Sequence, residues 1–218
     1  MHGHSEGDEG PGHHHEMGPH MKMSTLRPAQ PGDAEKANQI VAVARETLEK
    51  YRDSKAAEAD GYKIFMPQLK HQKQYHFTNW KYAMEAGFAF DAAHPTSLLY
   101  EKVGGDDSDK FRLIGAMYTA PARYTEDQLN ARIPLSVAQW HQHVNLCIPP
   151  KGHEKEGMPD ASGHARFGLA GSISTQEACD AAGGTFKPRI FGWMVHLYPD
   201  EKTSDRIWSV DRQMASSK

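Results

Sequence analysis

From Tyr62 onward the chain is cut into apolar segments too short and too branched for helices. "SLLYEKV", "FRLIGAMYTA", "VAQWHQHVNLC" and "IFGWMVHLY" run seven to eleven residues each and are bounded by Gly, Pro, Asp or Ser. Aromatic and β-branched side chains favour extended backbone, and the bounding residues favour turns, so each segment reads as a strand. "YKIFMPQL", "ARFGLAG" and "DRIWSV" read the same way, and "GGDDSD" before Lys110 reads as a hairpin turn between two of them. A chain of 218 residues buries one substantial core. The expectation is a mainly β (α+β) fold, a small β-barrel or sandwich carrying an N-terminal amphipathic helix.

That helix is legible just ahead of the strands. Ala37, Ile40, Val41, Ala44, Leu48 and Tyr51 recur at helical spacing while Arg45, Glu46, Glu49 and Lys50 take the other face, with Asp33 after Pro31-Gly32 as the expected N-cap. "SKAAEADG" reads as a second short helix ended by Gly61, and "STQEACDAAGG" as a third, capped at Ser174 or Thr175. Residues 1–32 hold six of the fourteen histidines and four of the ten methionines but almost nothing that builds a core. The expected organisation is a His/Met-rich tail over 1–32, a helical segment over 33–60 and a β-rich metal-binding domain over 61–218.

Several partners are disfavoured at once. A formal charge of −3 supplies no basic surface for nucleic acid. No apolar run reaches the roughly 18 residues of a membrane span, and the mean hydropathy is −0.71. The sequence opens without an apolar signal segment, so an export signal is expected to have been removed.

The chemistry concentrates in "WHQHVNLC". If that segment is extended, His141 and His143 share a face with Asn145 and Cys147, while Trp140, Gln142, Val144 and Leu146 share the other. Adjacent same-face imidazoles reach one ion at metal–nitrogen distances near ~2 Å, which makes His-x-His half of a metal site. His196 stands on the face of Met194 and Tyr198, opposite a core face of Trp193, Val195 and Leu197. The expected site is His141, His143 and His196, completed or oriented by Glu101 or His76. The competing reading is hydrogen-bonded or solvated histidines. His94, before a proline, reads as turn chemistry or as a residue supporting a metal ligand, and His153 and His164 as solvated loop residues.

Cys147 and Cys179 admit one disulfide or two free thiols, and Cys147 is also placed to act as a soft third ligand. In an exported protein a disulfide pinning the "STQEACDAAGG" helix to the histidine strand is the economical use. In the tail, "HGH", "HHHEM" and "HMKM" interleave imidazole with thioether, a mixture suited to copper in either oxidation state.

Two resemblances follow from these residues. "AEADGY", "YHFTN", "PTSLLYEK" and "FRLIGAMY", together with the later histidine strand, resemble a broad set of uncharacterised secreted bacterial proteins. The likeness covers roughly residues 55–146, implies export and picks out His76, Glu101 and His143. The order His141, His143, His196 is similar to that of cupins, small barrels that bind metal through His-x-His, a Glu and a later His. Here Cys147 stands roughly where the cupin Glu would.

The expected function is a periplasmic or extracellular metal-binding protein, with copper favoured over zinc, iron or nickel. One alternative is a cupin-like metalloenzyme, an oxidoreductase with an open three-histidine site walled by Tyr75, Tyr198, Trp140 and Trp193. The other is a non-metal binding module. No nucleophile elbow, phosphate loop or haem-attachment motif is present.

Overall fold

The computed structural model describes residues 18–68, 72–105, 108–160 and 162–210. The tail motifs "HGH" and "HHHEM" lie outside the described residues. Seven strands form one antiparallel sheet: β1 (Met21–Met23), β2 (Lys63–Ile64), β3 (Tyr75–Thr78), β4 (Ser97–Lys102), β5 (Phe111–Ala120), β6 (His141–Ile148) and β7 (Thr185–Leu197), in the order β1-β6-β7-β5-β4-β3-β2.

The amphipathic stripe forms α1 (Asp33–Glu49), which buries Ala37, Ile40, Val41, Ala44 and Leu48. Its N-cap is Gly32, in the left-handed region at φ 90°, rather than Asp33. Asp33 begins the helix, and its carboxylate accepts from the Gln30 N–H at 2.9 Å and the Ser136 hydroxyl at 2.6 Å. The buried stripe packs with Phe77, Leu98, Tyr100, Ala116, Tyr118, Val195 and Leu197 into the main core, on one face of the sheet.

The opposite face is concave, and the curl is severe. His76 on β3 and His196 on β7 have β4 and β5 between them, so a flat sheet would hold their strands about 14 Å apart. Their ring centres lie 5.8 Å apart. Near them the Tyr198 hydroxyl donates to Gln74 Oε1 at 2.9 Å, and Phe65 meets Phe191 at 5.6 Å. Two glycines bracket the β5–β7 ladder and permit the bend. A Cβ on Gly115 would run into the Leu197 carbonyl oxygen and the Tyr198 ring, and one on Gly192 into the Ala120 carbonyl oxygen.

The architecture corrects the expected barrel. The sheet curls but does not close, and helices α2 (Ser54–Ala59), α3 (Trp80–Glu85), α4 (Glu126–Arg132), α5 (Gln176–Ala181) and α6 (Ser204–Ile207) bring helix to a share comparable with strand, so the class is mixed α+β. "ARFGLAG" makes only an isolated bridge, Ala165 with Gly171, because Gly168 turns the chain at φ 81°. "DRIWSV" contributes to α6, with Trp208 as its C-cap, instead of a strand.

The boundary expected at residue 32 is crossed by the fold. β1 pairs with the histidine strand, setting Met21 opposite His143 and Met23 opposite His141. Just before it, His20 is buried, with Nδ1 2.9 Å from the Asn145 carbonyl oxygen and Nε2 2.6 Å from that of Gly171.

The disulfide expectation holds: Cys147 and Cys179 are bonded, with Cα atoms 5.5 Å apart, and this ties α5 to β6. Both sulfurs are buried beside Phe167 in a small separate core. Cys147 is thereby removed as a soft ligand.

Candidate metal centre

Four imidazoles meet on the concave face. His141 lies 5.6 Å from His143 and 5.1 Å from His196 between ring centres, and His196 lies 5.8 Å from His76. Three strands supply them. The β5–β7 register sets Met117 opposite His196, and the β6–β7 register sets Met194 opposite His141. Paired residues point to the same face, so this face also carries the second apolar cluster, Leu99, Met117, Met194 and Tyr198.

A bulge shapes the His-x-His pair. The register slips between His141, opposite Met194, and His143, opposite Ile190, so the β7 segment 191–193 faces Gln142 alone. Phe191 takes up the slip in the left-handed region at φ 62°, a strained backbone for a bulky residue. Beyond His143 the expected alternation stops, since Asn145 is left-handed at φ 56°.

Burial governs the electrostatics. His141 is 0% exposed and His196 2%. Removal from water disfavours the imidazolium, and neighbouring imidazoles disfavour it further. Burial first, then the charge of His143, pushes His76 down to about 4. Burial followed by His143 and His76 pushes His141 down to about 3. Burial followed by His20 pushes His143 down to about 4. Burial, then His141, holds His196 well below the ordinary value. At neutral pH the cluster is a set of uncharged nitrogen donors.

The hydrogen bonding of this face is incomplete. Neither Nδ1 nor Nε2 of His141 has a partner, although both are buried, and Gln74 Nε2 is in the same condition. Each buried polar group left so costs about 1–3 kcal/mol. As the side chains stand, no three His, Cys, Asp or Glu side chains among the described residues are grouped to hold an ion. Neighbouring ring planes are inclined by 49–79°.

The other expected residues separate from the cluster. Glu101 sits near the end of β4, where its carboxylate accepts from Arg112 Nε at 2.7 Å across the hairpin. Of the four aromatic residues expected to wall a pocket, Tyr75, Trp140 and Trp193 belong to the main core on the other face. Only Tyr198 adjoins the cluster, 6.3 Å from His196 between ring centres. His94 stacks on Tyr82 at 4.4 Å beside Asp91, and His153 and His164 are exposed in their loop.

Sequence reasoning assigned the methionines of β1 to the tail and missed their pairing with the histidine strand. The signal was in "HMKM", where period-2 alternation puts both thioethers on one face, but a three-residue edge strand exists only because β6 offers it a ladder. No family model, curated protein or solved structure matches this chain.

Proposed function

We propose that this chain is a periplasmic or extracellular metal-binding protein, with copper as the favoured ion, whose structured site is the histidine cluster His76, His141, His143 and His196. The observation that carries the reading is His141, a fully buried imidazole with two partnerless nitrogens, surrounded by other neutral imidazoles. An ion about 2 Å from each nitrogen lies roughly 3 Å from each ring centre, so two rings sharing it stand about 4.5–6 Å apart. The spacings of 5.1–5.8 Å fall in that range. Binding then requires the rings to turn about their Cβ–Cγ bonds, a soft torsion in histidine. The Cys147–Cys179 disulfide supports an oxidising compartment. The interleaved imidazoles and thioethers of the first 23 residues support copper.

The test is thermal. An ion held by sequence neighbours within residues 1–17 binds whether or not the body is folded, whereas a site built from three strands exists only in the fold. An ion at a hundredfold excess over its Kd therefore adds about 2.7 kcal/mol to the folded state, or roughly 5–10 °C in a chain of this size. Wild-type protein is expected to show that rise with Cu(II) or Zn(II), and the His141→Leu variant to lose it. A wild-type melting temperature unmoved by either ion would refute the proposal.

A further inference from the structure

The histidines of the cluster are not flanked at random. His141 stands between two methionines in the ladder, Met23 on β1 and Met194 on β7. His143 has Met21 opposite it, and His196 has Met117. Directly paired side chains have Cβ atoms about 4.5–5.5 Å apart. A thioether sulfur one bond beyond Cγ therefore reaches the space next to its partner's ring. The facing of β1 has independent support: Lys22, between the two methionines, sets its ammonium 5.5 Å over the Trp193 ring, which belongs to the opposite, main-core face. Alternation then turns Met21 and Met23 toward the imidazoles. Both are half-buried, while Met117 and Met194 are buried.

Resting on the histidine reading above, we propose that Met21, Met23 and Met194 form a thioether wall that gives this site a Cu(I)-binding half. Imidazole accepts Cu(II) and Zn(II) readily, whereas neutral sulfur selects the softer Cu(I). β1 is the described segment that directly follows the His/Met-rich residues 1–17. The wall is thus made partly by the chain that leads out of that segment. The competing role for these methionines is gap-filling in an apolar cluster. Leucine fills the same space without a sulfur, so the two roles separate by substitution.

The experiment compares the full-length protein with Met21→Leu/Met23→Leu and with Met194→Leu, following the melting temperature with Cu(I) under anaerobic ascorbate and, separately, with Zn(II). The double variant is expected to bind Cu(I) about tenfold more weakly, to show weaker copper–sulfur scattering in X-ray absorption because Met194 alone remains of the wall, and to keep its Zn(II) response. Met194→Leu is the second test should the double variant fold poorly. If Cu(I) and Zn(II) responses are both unchanged in both variants, or fall together, the thioether proposal is overturned while the histidine site stands. If wild-type protein responds to neither ion, both readings fall.

Discussion

The two faces of the sheet both bury polar atoms but differ in how they treat them. On the α1 side, buried hydroxyls and an indole are served by backbone carbonyls: Tyr62 donates to Pro95 at 2.9 Å, Tyr100 to Tyr51 at 2.6 Å, Tyr118 to Ala92 at 2.8 Å, and Trp193 Nε1 to Tyr124 at 3.2 Å. Trp140 Nε1 is the exception there. On the concave side His141 is sealed in with no partner at either nitrogen. A face whose polar groups are satisfied serves the fold, and one that keeps donors desolvated and unused carries a cost that folding alone does not explain.

That contrast can be broken at three points. Leu98→Ala, deep in the main core, is expected to cost about 2–5 kcal/mol in chemical denaturation and to leave any metal-induced rise in melting temperature intact. A variant that loses the metal response as well would merge the two faces into one unit.

Acid should act on the concave face. In metal-free protein the unfolded chain takes up protons at its histidines near pH 6.5, while the folded His76 and His143 resist until about pH 4. Between those values the unfolded state binds more protons, so stability is complete above pH 6.5 and falls as the pH drops toward 4. The loss is on the order of 2–3 kcal/mol for a single buried histidine over that window. Denaturant midpoints that stay level from pH 7 to pH 4.5 would show the rings to be better hydrated than their burial implies.

The smallest effect has the least usual sign. Replacing His141 by Leu removes two buried partnerless nitrogens and keeps an apolar side chain. The metal-free variant should gain about 1–2 kcal/mol over wild type at neutral pH while losing its response to ions. A net loss of stability would indicate that the imidazole has a structural partner.

Much of this was legible in the chain, and the misses have causes. The α1 stripe was readable because every apolar position it needs is supplied locally, and β4 to β7 because their alternation and bounding turns are local too. Two cysteines admitted one disulfide or two free thiols, and only the expectation of export favoured the bond that forms. α4 begins with a capping box, Thr125 with Gln128, and α3 with Asn79 accepting from the N–H groups of Lys81 and Tyr82. Those signals are present in "TEDQ" and "TNWKY" and were passed over because the neighbouring strands dominate the pattern. His141, His143 and His196 could be named because period-2 facing needs no tertiary information. The arrival of His76 from across two strands, and the separation of Glu101 from the rings, depend on curvature and on the Arg112 pairing, which no local window encodes.

Gly115 and Gly192 give that curvature a further meaning. The gap between His76 and His196 follows how far β5 and β7 lean together. Flattened by a few degrees at the two glycines, the molecule would retain its strands, its helices and its sulfur bridge, and the side chains of β3 and β7 would simply no longer meet.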